Sequence, residues 1–165
     1  MTKPNQLSRL FNHCKRLPAP LRSWAMSKVF GSAVKFFGTA GIAIVEAEPG
    51  RVVMVIRNRR KVQNHIHGVH AAAMALLAES ATGMALALSL PDNKLQLIRT
   101  MTVNYVQRAQ GDLKAVATLI PEQLRMIETD ERGDLVVPVT VTDSDGNEPV
   151  QAEMLWAWRL KKVNS

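Results

Sequence analysis

Residues 69–90 form a run of 22 mostly apolar residues, rich in Ala, Leu and Met and closed by Pro91, Asp92 and Asn93. That composition favours helix, and the proline with its polar neighbours ends it. A helix with almost no polar face must be covered on nearly every side. Its length would also suit a bilayer span. Glu79 stands near its middle, though, where a membrane-embedded carboxylate carries a heavy cost, and the flanking sequence alternates like a sheet. The run therefore reads as the central helix of a soluble domain.

The rest of the chain supplies the cover. Ile42–Ala47 and Val52–Arg57 read as a hairpin around the turn at residues 48–51. Leu95–Val106, Asp112–Ile120, Leu135–Thr142 and Val150–Leu160 read as further strands. In the last of these, Val150, Ala152, Met154, Trp156, Trp158 and Leu160 share one face, while Gln151, Glu153 and Arg159 share the other. Such alternation belongs to an antiparallel sheet with one covered face. The expectation is an α+β domain: one antiparallel sheet wrapped around a long central apolar helix.

Charge divides the chain unevenly. Seven of its 21 basic residues precede Glu46, the first acidic one, and the remaining 14 balance the 14 acidic residues. The net charge of +7 thus belongs to an N-terminal arm, which argues against nucleic-acid binding by the body of the domain. Residues 1–38 are read as a basic helical arm and 39–165 as the main domain. Within the arm an amphipathic helix is expected over 21–37, with Leu21, Trp24, Ala25, Val29, Ala33 and Phe36 or Phe37 on one face. The arm is expected to be peripheral to the core, covering a pocket or touching an anionic membrane surface. Lys28, Lys35, Pro18 and Pro20 interrupt any secretion-signal core, and Cys14 has no partner for a disulfide, so a reducing, cytoplasmic setting is expected.

Chemistry concentrates around the central helix. Glu79 is a carboxylate in an apolar helix, a costly placement unless it pairs with an arginine, caps backbone or does chemistry. Just before the helix come Asn64, His65, His67 and His70. No cysteine assists them and their spacing does not suit zinc. A loop entering a helix does suit a carbonyl or oxyanion, because first-turn N–H groups lack partners and sit at the positive end of the dipole.

Asn64, the segment Gly68–Ala72, the segment Leu76–Glu79, Asn104–Tyr105 and Ala109–Asp112, in this order over about residues 40–160, resemble the PaaI-type hotdog-fold acyl-CoA thioesterases. In that family a His-Gly-Gly turn opens the central helix and an acidic residue follows nine positions after the His, as Glu79 follows His70. Ala71 and Ala72 replace the two glycines, and their Cβ atoms crowd an approaching carbonyl. The resemblance implies hydrolysis of an acyl-CoA thioester. The Ala71 N–H would polarise the carbonyl, and Glu79 would act as base or nucleophile. Asn64 would orient water or substrate, and His70 would anchor the loop or assist the leaving thiolate. Substrate contacts would come from Gly68, Tyr105, Arg108 and Arg57, the arginines meeting CoA phosphates together with Arg59, Arg60 or Lys61. Leu76, Met74, Trp156 and Trp158 either line an acyl tunnel or pack the core. No metal or cofactor is implied beyond CoA as part of the substrate. Ala71 and Glu79 lie eight residues apart on one helix, roughly 12 Å along its axis, so a single thioester needs them from different subunits. A homodimer, or dimers paired into a tetramer, is therefore expected. Two other functions remain open: a non-catalytic acyl-CoA sensor, and a hotdog dehydratase, whose Asp-His pairing is absent here.

Overall fold

The computed structural model of the chain describes residues 4–162. Seven strands, β1 (Ala43–Glu48), β2 (Arg51–Ile56), β3 (Lys94–Tyr105), β4 (Leu113–Thr118), β5 (Gly133–Val137), β6 (Val139–Asp143) and β7 (Val150–Leu160), form one antiparallel sheet. Their order is β1-β2-β4-β6-β7-β3, with β5 also paired to β7. The central helix α4 (Ala71–Ser89) touches all seven strands. Leu77, Ala78, Ala81, Met84, Ala85 and Leu86 are completely buried, and the many alanines allow the sheet to close tightly around the helix. By length and composition α4 could cross a membrane, but 67% of its most apolar stretch is buried inside the fold.

The C-terminal end of α4 shows why the N-terminal arm belongs to this core. Its last carbonyls have no intrahelical donors. Asn5 Nδ2 donates to Ala87 O (2.6 Å) and Leu90 O (2.7 Å), and Ser8 Oγ donates to Leu88 O at 2.9 Å. Asn5 also caps α1 (Gln6–Cys14), its Oδ1 accepting from Ser8 N at 2.8 Å. The same helix carries Phe11 into the core, where it joins Met26 and Phe37. The expectation of a peripheral arm is corrected: a truncation near residue 38 would strip these side chains and leave the α4 carbonyls orphaned.

Three further differences from the sequence have identifiable causes. The single helix expected over 21–37 is two, α2 (Ala19–Ala33) and α3 (Lys35–Ala40), separated at Val34. The two helices meet at Gly31 and Gly38, where a Cβ on Gly31 would lie 3.0 Å from Gly38 Cα. Phe30 and Phe37 pack edge to face at 4.9 Å. The break turns Met26 and Phe37 inward and leaves Leu21, Trp24, Val29 and Phe36 exposed, so the expected apolar face is not the buried one. The strand expected over Leu135–Thr142 is divided into β5 and β6 by Pro138, which has no N–H for the ladder. Helix α5 (Pro121–Thr129) was not expected at all, and α1 lies within the arm read as helical but outside the one helix assigned there. Lys94, buried at the start of β3, caps α5 by donating to Ile127 O (2.7 Å) and Glu128 O (3.0 Å). Burial lowers its pKa, while Asp130, Glu128 and Glu131 push the other way.

Trp156 fixes the register of α4 against the sheet. Its Nε1 donates to Thr82 Oγ1 at 3.0 Å, and its ring lies where Gly83 has no side chain. A Cβ at Gly83 would come within 2.7 Å of the indole. Glycine to alanine inside a helix ordinarily stabilises by about 0.5–1 kcal/mol; here Gly83→Ala is expected to destabilise by about 1–3 kcal/mol through overpacking. Chemical denaturation of the purified variant reads the sign directly.

Candidate functional site

The loop before α4 is organised by Asn64. Its Oδ1 accepts from Ile66 N and Gly68 N, both at 3.1 Å, and its own N–H donates to Gly68 O at 2.9 Å. His67 takes a positive φ of 60° at the tip, donating its N–H to Asn64 O at 3.1 Å. Arg108 Nη2 holds the loop from outside by donating to Ile66 O at 3.0 Å. Gly68 and Val69 are buried beneath the loop, while His65 and His67 face solvent. Among the described residues, no three His, Cys, Asp or Glu side chains come together as a metal site.

His70 stands at the N-cap of α4. Its Nδ1 accepts the Ala72 N–H at 3.1 Å, which makes Nε2 the protonated nitrogen of the neutral ring. The backbone N–H groups of Ala73 and Met74 close on His70 O. The Ala71 N–H has no partner among the described residues, and Ala71 itself is exposed. From the end of β3, Tyr105 donates its hydroxyl to Ala71 O at 2.8 Å. Burial raises the Tyr105 pKa, which keeps that hydroxyl a donor. The helix entrance is thus held on two sides while one N–H points outward at the positive end of the dipole.

Glu79 lies two turns further along α4, half-buried. Burial raises its pKa above the ordinary value of 4.5, an effect only partly opposed by the hydrogen bond from Ser80 Oγ at 3.3 Å. No Lys, Arg or His pairs with it among the described residues. The pairing that would make it purely structural is therefore missing. Ala72, Ala75, Leu76 and Glu79 share the side of α4 that the sheet leaves open.

A slot of about 200 Å³ opens beside the helix entrance, walled by Phe36, Ala40, Val62, Ala73 and Leu76 with His70, Gln63 and Lys61 at its polar edge. Of the expected acyl-lining residues only Leu76 reaches it. Met74, Trp156 and Trp158 are buried in the core, Trp158 donating Nε1 to Asp130 O at 2.8 Å. The structure thus brings Asn64, Gly68, His70, Ala71, Tyr105 and Arg108 together around the α4 entrance, and places Glu79 apart on the open side of the helix. Arg57 lies at the end of β2 in a different groove. Phe36, Ala40 and Gln63 escape sequence reasoning because nothing local shows that α3 folds over the loop.

His70 can be tested as a cap independently of chemistry. His70→Ala is expected to cost about 1 kcal/mol in unfolding free energy, and His70→Asn, which also caps well, to retain most of it. Equal losses in both variants by denaturant titration would refute the capping role.

No curated protein matches this chain. The model of a domain of unknown function, DUF4442, matches residues 22–158. A solved Pseudomonas aeruginosa protein of unknown function, PA5026, described as a "probable thioesterase", superposes with a TM-score of 0.76 at 23% identity, covering 88% of this chain and 97% of that one. The thioesterase HI1161 of Haemophilus influenzae superposes at 0.64 with 15% identity, covering 87% and 92%. A structural-genomics protein, APC5556, reaches 0.74 at 29% identity, covering 94% and 99%. By its sequence the chain belongs to the DUF4442 family, and by its structure it carries the hotdog fold of the thioesterases.

Proposed function

We propose that this chain is a cytoplasmic acyl-CoA thioesterase working as a homodimer, each site combining the α4 entrance of one subunit with Glu79 of the other. The observation that carries this is the open side of α4, where a donor N–H and an unpaired carboxylate sit about 12 Å apart on one rigid helix. Strand β3 supports a second copy as the cover. Among the described residues it pairs only with β7 and its other edge is unpaired, and beside it Met101 and Tyr105 are 50% and 49% exposed. Free strand edges and apolar faces of this kind favour association. A two-fold axis perpendicular to the free β3 edge would pair the two β3 strands antiparallel and run the two α4 helices antiparallel, bringing each Ala71 towards the partner subunit's Glu79.

In the proposed reaction the thioester carbonyl accepts from the Ala71 N–H, which stabilises the oxygen as it becomes negative. Glu79 either takes a proton from water as it attacks the carbonyl carbon, or attacks that carbon itself to give an anhydride that water then opens. Either way the C–S bond breaks, the carboxylic acid is released, and the CoA thiolate takes up the proton. His70 Nε2–H is the donor best placed to assist the departing sulfur. Asn64 contributes by shaping the loop, its Oδ1 being committed to backbone and its amide left as a donor. Water is the only co-reactant.

Thiol release from a panel of acyl-CoAs tests the activity. Glu79→Gln is expected to lower kcat by at least about a hundredfold; near-native turnover would remove Glu79 from the mechanism. Since the carboxylate must be ionised and its pKa is raised, activity should fall with decreasing pH at a limb above 4.5. The same shift has a stability consequence. A carboxylate whose pKa is raised on folding favours the folded state below its unfolded pKa, and that contribution is lost as pH rises through the folded value. Glu79→Gln should therefore be more stable than wild type at neutral pH, with the gain shrinking towards pH 4.

The shared site is tested by subunit exchange between Glu79→Gln and an Asn64→Ala/His70→Ala variant, verified by native mass spectrometry. Mixed dimers each hold one intact site, so activity should recover towards about a quarter of wild type. Verified exchange without recovery would exclude the cross-subunit arrangement.

A further inference from the structure

A wide concave surface on the molecule has no role in the site described so far. It is a groove of about 1020 Å³ between helices α2 and α3 on one side and strands β1 and β2 on the other. Its walls carry Lys28, Lys35, Arg57, Arg59 and Lys61, with no carboxylate among the lining residues. The acids nearest in sequence, Glu46 and Glu48 on β1, are already paired with Arg51 and Lys15. The side chains of Lys28, Arg57 and Arg59 make no hydrogen bond or ion pair among the described residues. Like charges gathered without counter-charge repel one another, and a bound anion relieves that repulsion. Trp24, 59% exposed, adds a free aromatic face to the same wall.

The groove also lies directly beside the slot at the α4 entrance. Thr39 and Lys61 line both, and Lys61 Nζ donates to Thr39 O at 2.8 Å where they meet. One extended molecule could thus lay an anionic, aromatic end in the groove and bring its other end to the slot beside His70 and Ala72. A flat bilayer surface cannot enter a concavity walled on two sides, whereas a nucleotide can.

We propose that this groove binds the adenosine 3′-phosphate 5′-diphosphate end of CoA, so that the N-terminal helices form the nucleotide half of the substrate site. The assignment of the acyl end rests on the thioesterase reading; the nucleotide end stands on the groove itself. Lys28, Arg57 and Arg59 meet the phosphates through charge-assisted hydrogen bonds, and Trp24 offers the adenine a stacking surface. The helix break at Val34 then has a use, since it directs α3 towards the slot while α2 walls the groove.

Two measurements on the full-length protein test this. The first is calorimetric titration with adenosine 3′,5′-bisphosphate, a fragment that carries no thioester. Wild type should bind it saturably. Lys28→Ala/Arg59→Ala should weaken binding at least about tenfold, the worth of one lost charge-assisted contact. Trp24→Ala should weaken it too, with Trp24→Phe recovering most of the loss. The second compares decanoyl-CoA with the decanoyl thioester of N-acetylcysteamine, which lacks the nucleotide. The double variant should raise KM for decanoyl-CoA at least about tenfold and leave KM for the short thioester within about twofold. The proposal is overturned if wild type does not bind the bisphosphate, if the double variant binds it as well as wild type does, or if KM rises equally for both thioesters. It is likewise overturned if the double variant loses only its binding to phosphatidylserine vesicles, which would make the cations a lipid contact. Should wild type bind the bisphosphate through these residues yet hydrolyse neither thioester, the groove assignment stands and the thioesterase reading fails.

Discussion

A 19-residue helix that is apolar on nearly every side can persist in water only if other elements cover it and satisfy the backbone groups at both its ends. Most of this structure follows from that requirement applied to α4. The sheet covers it by wrapping, which is why α4 touches every strand. Asn5 and Ser8, brought by α1, answer the carbonyls at its C-terminal end. His70 and Tyr105 hold its N-terminal end. An unmade hydrogen bond in such a place costs about 1–3 kcal/mol, so these contacts explain why helices outside the sheet are nevertheless part of the core.

The function proposed for the chain lives where that requirement is left incompletely met. Among the described residues one N–H at the α4 entrance has no partner, and the sheet leaves one side of the helix open. Glu79 lies on that side with a pKa raised by burial and no cation paired with it among the described residues. A carboxylate placed this way works against folding at neutral pH, and that cost makes it a stronger base. The opposite side of α4 admits no such freedom. There Trp156, Thr82 and Gly83 interlock, and by fixing the rotation of the helix they determine which side Glu79 occupies.

Legibility in the sequence followed the range of the forces involved. The central helix was readable because Ala, Leu and Met crowd into one run, and β7 because its apolar residues alternate. The entrance loop was readable because Asn64, Gly68 and His70 precede that run at the spacing of a recognisable family. Other features were hidden for physical reasons. α5 begins with Pro121 and Glu122, ordinary start signals, but its apolar content is too low to stand out without knowing that Lys94 caps it. The split of β5 from β6 was written in Pro138 and overlooked because the flanking valines read as one strand. The end of α2 carries no local sign, since Gly31 and Gly38 mark a helix contact only once the two helices have folded together.

The sequence by itself determined the apolar helix, its interrupting carboxylate, the alternation that requires a one-faced sheet, and the basic bias of the N-terminal residues. Each of these is a local property, set by composition or period over a few turns. Only the tertiary structure decided that Asn5 would cap a helix more than eighty residues away, and that Glu79 would emerge on the open side of α4, with no ionic partner among the described residues. It alone gathered Lys28, Lys35, Arg57, Arg59 and Lys61 into one groove beside the slot at the α4 entrance. Those outcomes depend on which surfaces the sheet and helices have to bury against one another, and burial is settled by the whole chain at once.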